Sequence, residues 1–203
     1  MGRSVGTYFM EDRREAKRLS DKVDAPLWVG KYLAPYLDNA TNVLDVGCGP
    51  AVLAREVALR CPESNVVGID ASSMRLAAAE QNRDHCPNLS LRLGDATTLP
   101  WHDDAFDLVY CRFLLEYLAD RQQAVTEMAR VCAPGGHVIL QDLDGQMLLH
   151  HPIDLEMEAD IEMALAALQK TGFDPFVGRK LFCLARNAGL TNIKVEVEPY
   201  HLI

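Results

Sequence analysis

A short apolar run followed by two closely spaced glycines constrains this chain most: residues 43–54 read VLDVGCGPAVLA. An apolar segment of strand length, a glycine turn and a helical pattern indicate the first strand and turn of a nucleotide-binding α/β fold. Glycine lets backbone amides approach a ligand closely and tolerates positive φ angles. Such a turn can serve a dinucleotide or another adenosine cofactor, or it can be a tight strand–helix connection with no chemical role.

The remaining chain repeats this alternation of strand and helix patterns. The predicted strands are 42–46, 65–69, 89–93, 106–111, 137–141 and 193–197. The predicted helices are 11–36 in one or two pieces with breaks at Pro26 and Pro35, 51–61, 73–82, 121–132, 153–170 and 178–187, with a turn at 134–136. Strands joined by helical segments predict an α/β fold of Rossmann-like, doubly wound type with a mostly parallel sheet. Ligands bind such a sheet at the carboxyl ends of its strands, so the residues after each strand are the candidates for a site.

Size and charge narrow the possible partners. With 203 residues, 49% of them hydrophobic, the chain can form one sizeable core, and we predict a single domain. Within it we expect N-terminal covering helices (1–41), a cofactor-binding core (42–142), a substrate cap region (143–177) and a C-terminal helix and strand (178–203). The net charge of −9 disfavours nucleic acid and anionic membrane surfaces as partners.

The cysteines and the hydropathy indicate a cytoplasmic protein. The six cysteines form no CxxC pair and no zinc-binding spacing, which is typical of reduced thiols. No apolar run approaches the about 18 residues that a membrane span needs, and the first residues lack the apolar region of a signal peptide.

Two acids and one missing glycine distinguish the candidate cofactors. The dinucleotide fingerprint requires glycine where Val52 stands, and the Asp45 carboxylate beside the turn opposes a pyrophosphate but suits a cation. Asp70 follows the second strand, where an acid can accept both ribose hydroxyls. It could instead cap the next helix, although Ser72 and Ser73 compete for that role.

Asp95 follows the third strand. Its carboxylate could accept a hydrogen bond from an exocyclic amine such as that of adenine. Taken alone, however, it fits an ordinary Asx turn equally well.

Together these segments resemble the class I S-adenosylmethionine-dependent methyltransferases, in particular small-molecule enzymes related to quinone biosynthesis. The motifs that carry the resemblance are VLDVGCGP, VVGIDAS, LRLGDATTLPW, LPWHDDAFDLVYC and VCAPGGHVILQD, spread over residues 43–197. The family often has a third glycine where Ala51 stands here. The resemblance implies S-adenosylmethionine as cofactor, S-adenosylhomocysteine as product and a small-molecule acceptor methylated on oxygen, nitrogen or carbon.

The resemblance also implies a set of cofactor-binding residues. They are Tyr8, Arg18, Asp45, Gly47, Cys48, Gly49, Asp70, Ala71, Met74, Asp95, Ala96, Cys111 and Arg112. Asp45 and the glycine turn would face the methionine part of the cofactor, with Asp45 holding its ammonium. Asp70 would hold the ribose.

Within the same set, Ala71 and Met74 would line the adenine, and Asp95 with the Ala96 amide would read its edge. Cys111 and Arg112 would border the methionine and the transferred methyl. Tyr8 and Arg18 belong to a segment that resembles a covering helix of some relatives. The basic residues of that segment fit a solvated face equally well.

The sequence assigns no catalytic residue and predicts no metal. The candidates for a general base, if one is needed, are Glu116, Tyr117, His150 and His151. The acids at 154–160 fit a solvated helix face better than a metal site. Segments that hold a flipped base, such as D-P-P-Y, are missing, which favours a small acceptor. A rival hypothesis is a protein of this fold that binds the cofactor in a regulatory or non-catalytic role.

The last strand of the family sheet is not found at the C-terminus. The family usually has seven strands, and the sequence predicts six. Either the chain is cut short or the last strand is replaced. In the first case the unpaired backbone beside strand five invites a partner strand or a homodimer.

Overall fold

The computed structural model describes residues 23–81, 83, 86–145 and 151–199. The strands are β1 (Asn42–Val46), β2 (Asn65–Asp70), β3 (Leu89–Leu93), β4 (Phe106–Arg112) and β5 (Cys132–Gln141). The α-helices are α1 (Ala25–Tyr32), α2 (Ala34–Leu37), α3 (Val52–Arg60), α4 (Ser73–Gln81), α5 (Arg121–Val131), α6 (Leu155–Gln169) and α7 (Leu181–Asn187). Short 3-10 helices cover Leu115–Tyr117 and Gly178–Lys180.

The five strands form one sheet in the order β3-β2-β1-β4-β5, and every neighbouring pair runs parallel. This confirms the Rossmann-like α/β fold. The direction of the strand order reverses between β1 and β4, which makes this pair the switch point where ligands bind. The loops after β1 and β4 therefore position the site.

Two hydrophobic layers hold the sheet. On one face, Val43, Leu108 and Tyr110 pack with residues of α1 to α4. On the other face, Leu44, Val46 and Cys111 pack with α5 and with the partly buried leucines of α7. Because successive strand side chains alternate between faces, Asp45 and Arg112 lie on the same face as Tyr110 and α1.

The sixth predicted strand is wrong. Residues 193–197 have the alternation of a strand but form none, and Val197 is 93% exposed. Alternation identifies a strand only when one set of side chains finds a core to pack against. The segment is held instead by Glu198, which accepts hydrogen bonds from Lys31 and Tyr32 of α1.

The predicted break at Pro35 is present, because α1 ends at Tyr32 and α2 begins at Ala34. Pro26 and Pro35 both lie in the first turn of a helix, where proline's missing N–H costs nothing. One local prediction differs from the structure. The glycines at 135–136 do not precede β5 but lie within it. They form a bulge, because the pairing of β5 with β4 steps from Cys132 opposite Phe106 to His137 opposite Leu108.

Helix α6 lies in the region predicted as a substrate cap. None of its residues is buried, and Leu155 is 85% exposed. Ile161, Leu165 and Leu168, on the predicted apolar face, are only half-buried. Across the described part of the chain, no helix combines the length and the apolar character needed to cross a membrane.

Candidate cofactor site

The turn after β1 contains three residues with left-handed backbone conformation and is hydrogen-bonded to β2. Gly47, Gly49 and Ala51 have φ angles of 73°, 54° and 56°. The Gly47 and Cys48 amides both donate to the Ile69 carbonyl, at 2.8 and 3.0 Å. A Cβ atom at Gly49 would find no other atom within 4 Å, so the turn presents backbone to open space. This is the kind of cradle that lets a ligand lie directly against the chain.

Asp70 joins this turn to the end of β2. Its Oδ2 accepts from the Gly49 amide at 2.8 Å, and its Oδ1 accepts from the Ser72 amide at 2.8 Å. Ser72, through its hydroxyl, accepts from the Arg75 amide in the first turn of α4. Asp70 is therefore not the side-chain cap of that helix. A carboxylate has about four lone-pair positions, so Asp70 can fix the turn and still accept hydroxyl protons.

Apolar side chains lie exposed beside Asp70. Met74, in the first turn of α4, is 39% exposed, and Leu93, paired with Asp70 in the sheet, is 58% exposed. Exposed apolar surface next to a polar anchor fits a planar apolar base such as adenine. Met74 was predicted to lie here, whereas Leu93 was missed.

Asp95 adopts the Asx turn that the sequence left open. Its Oδ1 accepts from both the amide and the hydroxyl of Thr97, each at 2.8 Å. Ala96 follows it and is buried in the core layer of α5. The position of both residues after β3 agrees with an adenine edge site, but an adenine-reading role for them stays a prediction.

The loops after β1 and β4 touch at the switch point. A Cβ atom at Gly47 would come within 2.7 Å of Leu114 Cδ1. The Cys48 side chain points away from this opening, because its Sγ would lie 2.8 Å from a Cβ at Gly68 of β2. Cys48 and Cys111 are both buried, and burial raises the pKa of each thiol. Cys111 belongs to the core on the other face of the sheet, so its side chain does not join the group around Asp45.

Asp45 and Tyr110 form a buried polar pair across β1 and β4. They are direct partners in the sheet, and Asp45 is 3% exposed. Burial raises the pKa of Asp45 to about 7, and the nearby charge of Asp70 adds to this, against hydrogen bonding by Tyr110 and the charge of Arg112. The Tyr110 hydroxyl is buried and has no hydrogen bond of normal geometry within the described residues. A buried carboxylate is stabilised by a neighbouring positive charge, and the ammonium of a ligand would supply one to Asp45.

Arg112 lies at the same end of the sheet, between two aromatic rings. Its guanidinium carbon is 4.0 Å from the centre of the Phe113 ring and 5.9 Å from that of Trp28. Gln141 Oε1 accepts from Arg112 Nε at 3.1 Å and from Trp28 Nε1 at 2.6 Å. A fixed cation therefore stands near the buried acid Asp45.

Two further carboxyls lie behind the loop after β4. Asp142 accepts from the Leu115 and Leu143 amides at 2.8 and 2.9 Å, and burial raises its pKa to about 6. Burial, and then the charge of Asp142, raise the pKa of Glu116 to about 7. Glu116 is therefore a buried acid that can exchange a proton near neutral pH.

The other candidates for a general base do not share the buried position of Glu116 or lie outside the described residues. Tyr117 packs against Phe173, with ring centres 5.3 Å apart, and His151 is exposed. Tyr8, Arg18 and His150 lie outside the described residues. In the described ranges, no three histidine, cysteine, aspartate or glutamate side chains come together in a group that could hold a metal ion.

Trp28, Tyr110 and Gln141 were missed by sequence reasoning. The alternation of β4 could have revealed Tyr110, because it shares a face with Arg112. Gln141 ends β5 and so lies at the ligand-binding edge. Nothing in the sequence links Trp28 to that edge, because the contact depends on how α1 packs.

These groups fit S-adenosylmethionine. The open glycine cradle leaves room for the methionine part of an adenosyl amino acid, and the acid fixed at the end of β2 suits its ribose. The exposed apolar surface beside that acid suits adenine, and the buried carboxylate of Asp45 suits the ammonium. A pyrophosphate fits less well, because the Asp45 carboxylate beside the turn would repel it.

The comparisons with known proteins point to the same family. Residues 44–140 match the family model described as a methyltransferase domain. An uncharacterized methyltransferase of Schizosaccharomyces pombe is 30% identical over 74% of this chain and 56% of its own length. A demethylmenaquinone methyltransferase of Deinococcus radiodurans is 40% identical over 49% of this chain and 42% of its own length. The chain thus spans about half the length of these curated relatives.

The fold comparison agrees with the domain match. A SAM-dependent methyltransferase of Aquifex aeolicus superposes with a TM-score of 0.59 at 17% identity, covering 80% of this chain and 88% of that one. At this identity the likeness shows the fold alone. With the matched domain, the related sequences and the site geometry together, the chain belongs to the class I S-adenosylmethionine-dependent methyltransferases, and its sequence is similar to that of a demethylmenaquinone methyltransferase.

Proposed function

We propose that this protein transfers a methyl group from S-adenosylmethionine to a small-molecule acceptor. The observation that carries the proposal is the link between Asp70 and the Gly49 amide, which fixes the ribose acceptor and the open glycine cradle as one unit at the switch point. Asp45, on the neighbouring strand, adds a buried acid suited to the cofactor's ammonium.

The chemistry asks little of the protein beyond placement. The sulfonium of the cofactor is itself a strong methyl donor, so the chain has to orient the two reactants and exclude water. In this proposal Asp70 binds the ribose, Asp45 binds the ammonium, and Met74 with Leu93 covers the adenine. Glu116, buried behind the loop after β4, can accept a proton from an acceptor that carries one.

The acceptor would enter between the loop after β4 and the cap region 143–177. Helix α6 supplies exposed apolar side chains there, including Leu155 and Met163, which suits an apolar acceptor. The net charge of −9 supports a small molecule in preference to nucleic acid or an anionic membrane. A homodimer through the outer edge of β5 remains part of the proposal, because β5 has one neighbour in the described sheet.

We also propose a cytoplasmic location. All six cysteines are free thiols, and four of them are buried. Thiols that form no disulfide suit a reducing compartment.

Binding measurements test the cofactor assignment first. Calorimetry should show binding of S-adenosylhomocysteine and none of NAD. Asp70→Ala should weaken the binding of S-adenosylhomocysteine by about 1.5–3 kcal/mol, the value of hydrogen bonds to a charged group. Asp38→Ala is the matched control, because Asp38 is exposed and precedes β1 at the opposite end of the sheet. Unchanged affinity in Asp70→Ala would refute the ribose role.

Turnover separates an enzyme from the rival, a non-catalytic cofactor-binding protein. Labelled S-adenosylmethionine should transfer its methyl group to at least one member of a panel of phenols, quinols, amines and carboxylic acids. Tight cofactor binding without transfer to any extract fraction would favour the non-catalytic role.

A further inference from the structure

Four side chains, one on α1 and the others at the ends of β4 and β5 or directly after β4, form what we name the arginine clamp: Trp28, Arg112, Phe113 and Gln141. The Gln141 side-chain oxygen accepts from both the Trp28 indole and the Arg112 Nε. The Phe113 ring lies 4.0 Å from the guanidinium carbon. These contacts hold the plane and the Nε edge of Arg112, so the orientation of the guanidinium is set by the fold.

Phe113 reaches this place through an unusual backbone conformation. Its φ angle of 52° lies in the left-handed region, which is rare for a bulky side chain. Its amide donates to the Gln141 carbonyl at 2.9 Å, so the same residue holds both Phe113 and Arg112. Such strain persists only where the surroundings impose it.

The clamp and Asp45 stand a short distance apart on one face of the sheet. Asp45 pairs with Tyr110 in the sheet, and Arg112 follows two residues later on β4. Two residues of strand span about 6.6 Å, and neighbouring strands lie about 4.8 Å apart. The charge of Arg112 also acts to lower the pKa of Asp45, as expected for a cation at this distance. A cation and an acid at this separation match the two charges of an amino-acid zwitterion.

We propose that Arg112 is the receptor for the carboxylate of the cofactor's methionine, and that Gln141 and Trp28 are positioning residues that orient it. The inference rests on the proposed cofactor site and adds to it a charge assignment: the carboxylate at Arg112, the ammonium at Asp45. A planar guanidinium held in one orientation forms paired hydrogen bonds with a carboxylate. Because the Trp28 indole is bonded to Gln141, helix α1 becomes part of the cofactor site.

A pair of cofactor analogues isolates this contact. Decarboxylated S-adenosylmethionine keeps the sulfonium and the ammonium but lacks the carboxylate, so the ratio of its Kd to that of S-adenosylmethionine reports the carboxylate alone. The wild-type protein should prefer S-adenosylmethionine. Arg112→Gln should weaken S-adenosylmethionine by about 10- to 100-fold and leave the decarboxylated analogue within about twofold, as expected for losing a charged hydrogen-bonded contact.

The positioning residues should shift the same ratio by less. Gln141→Leu and Trp28→Phe should each reduce the preference for S-adenosylmethionine by about 3- to 10-fold. Trp28→Phe removes the neutral hydrogen bond to Gln141, and Gln141→Leu removes the acceptor of both the Trp28 indole and the Arg112 Nε. Gln122→Leu is the matched control. Gln122 bonds the Leu184 carbonyl on the other face of the sheet, and its loss should leave the ratio unchanged.

The outcomes are distinguishable. If Arg112→Gln weakens both ligands equally, or neither, the carboxylate assignment is wrong. If it alters the ratio while Gln141→Leu and Trp28→Phe do not, the positioning role is wrong. If the wild-type protein binds neither ligand, the proposed function itself fails. Circular dichroism and the unfolding midpoint of each variant show whether it is folded, and a folded variant is required for each comparison.

Discussion

Asp45→Asn should stabilise the cofactor-free protein in neutral and alkaline solution although it removes a residue of the site. Asp45 is almost fully buried, and this burial, with the charge of Asp70, raises its pKa to about 7 from an ordinary value of about 3.9. A carboxyl whose pKa is raised in the folded state contributes stability that is fully present below the unfolded pKa. This stability is lost as the pH rises through the folded pKa.

The size of the effect follows from the shift. Three pKa units correspond to about 4 kcal/mol of stability lost between about pH 4 and pH 8. Of this, about 2.5 kcal/mol is lost between pH 5 and pH 8, because at pH 5 an unfolded aspartate is already largely ionised. Asparagine has the shape of the protonated acid and does not ionise. The free energy of unfolding of Asp45→Asn minus that of the wild type should therefore be about 2.5 kcal/mol larger at pH 8 than at pH 5, which means that the variant is the more stable protein at the higher pH.

Urea unfolding of both proteins at pH 5 and pH 8 measures this difference of differences, provided that the m values agree. Asp107→Asn is the matched control. Burial acts to raise the pKa of Asp107, but hydrogen bonds from Asn42 and Thr41 outweigh it and lower the pKa. The stability that Asp107 contributes is lost only as the pH falls below its ordinary pKa. The difference in free energy of unfolding between Asp107→Asn and the wild type should therefore be the same at pH 5 and at pH 8. An Asp45→Asn effect equal at both pH values would refute the buried-proton interpretation.

Substitutions at three further positions, Gly68, Glu116 and Ala51, test the site and the fold around it. Gly68→Ala places a Cβ 2.8 Å from Cys48 Sγ and should lower the free energy of unfolding in urea by about 1–3 kcal/mol; Gly30→Ala, with no atom closer than 3.4 Å, should not. Glu116→Gln should stabilise the protein above pH 7 relative to pH 5, because burial and then Asp142 raise the pKa of Glu116 to about 7; urea unfolding at both pH values checks this. Ala51→Gly should change stability by less than about 1 kcal/mol, since relief of the left-handed backbone is offset by chain entropy and a lost buried methyl. Ala51→Val should lower the thermal midpoint clearly, because a β-branched residue fits that conformation poorly.

The central strands of the parallel sheet could be predicted because they are buried on both faces. The run at 42–46 is apolar enough to be recognised without knowledge of its partners, and the edge strand at 89–93 was recognised by its alternation; the structure has the same bounds for both. The segment 193–197 has a similar alternation but does not form a strand. A local pattern specifies side-chain alternation, whereas a strand also needs a backbone edge and a core beneath it.

The same distinction between local pattern and tertiary packing separates the site residues that could be predicted from those that could not. Asp45 and Asp70 were predictable because strand ends in a parallel sheet converge, and their positions follow from the strand bounds. Trp28 and Gln141 were not, because they are 113 residues apart in sequence and meet only through the packing of α1 against the end of β5. Even where a residue type was predictable, its geometry was not: Cys111 ends β4 as expected, but the alternation turns its side chain into the opposite core.

Several departures from ordinary packing rules lie at the switch point. A buried acid with a raised pKa (Asp45), the buried hydroxyl of its sheet partner (Tyr110) and two of the four described non-glycine residues with positive φ (Ala51 and Phe113) lie near the ends of β1 and β4 or in the loops after them. Each costs folding free energy. A natural sequence keeps such features where a ligand offsets them. A bound ammonium would pair with the Asp45 charge, so cofactor binding near pH 7 should release a proton from Asp45. The same burial that destabilises the free protein would then favour the bound state.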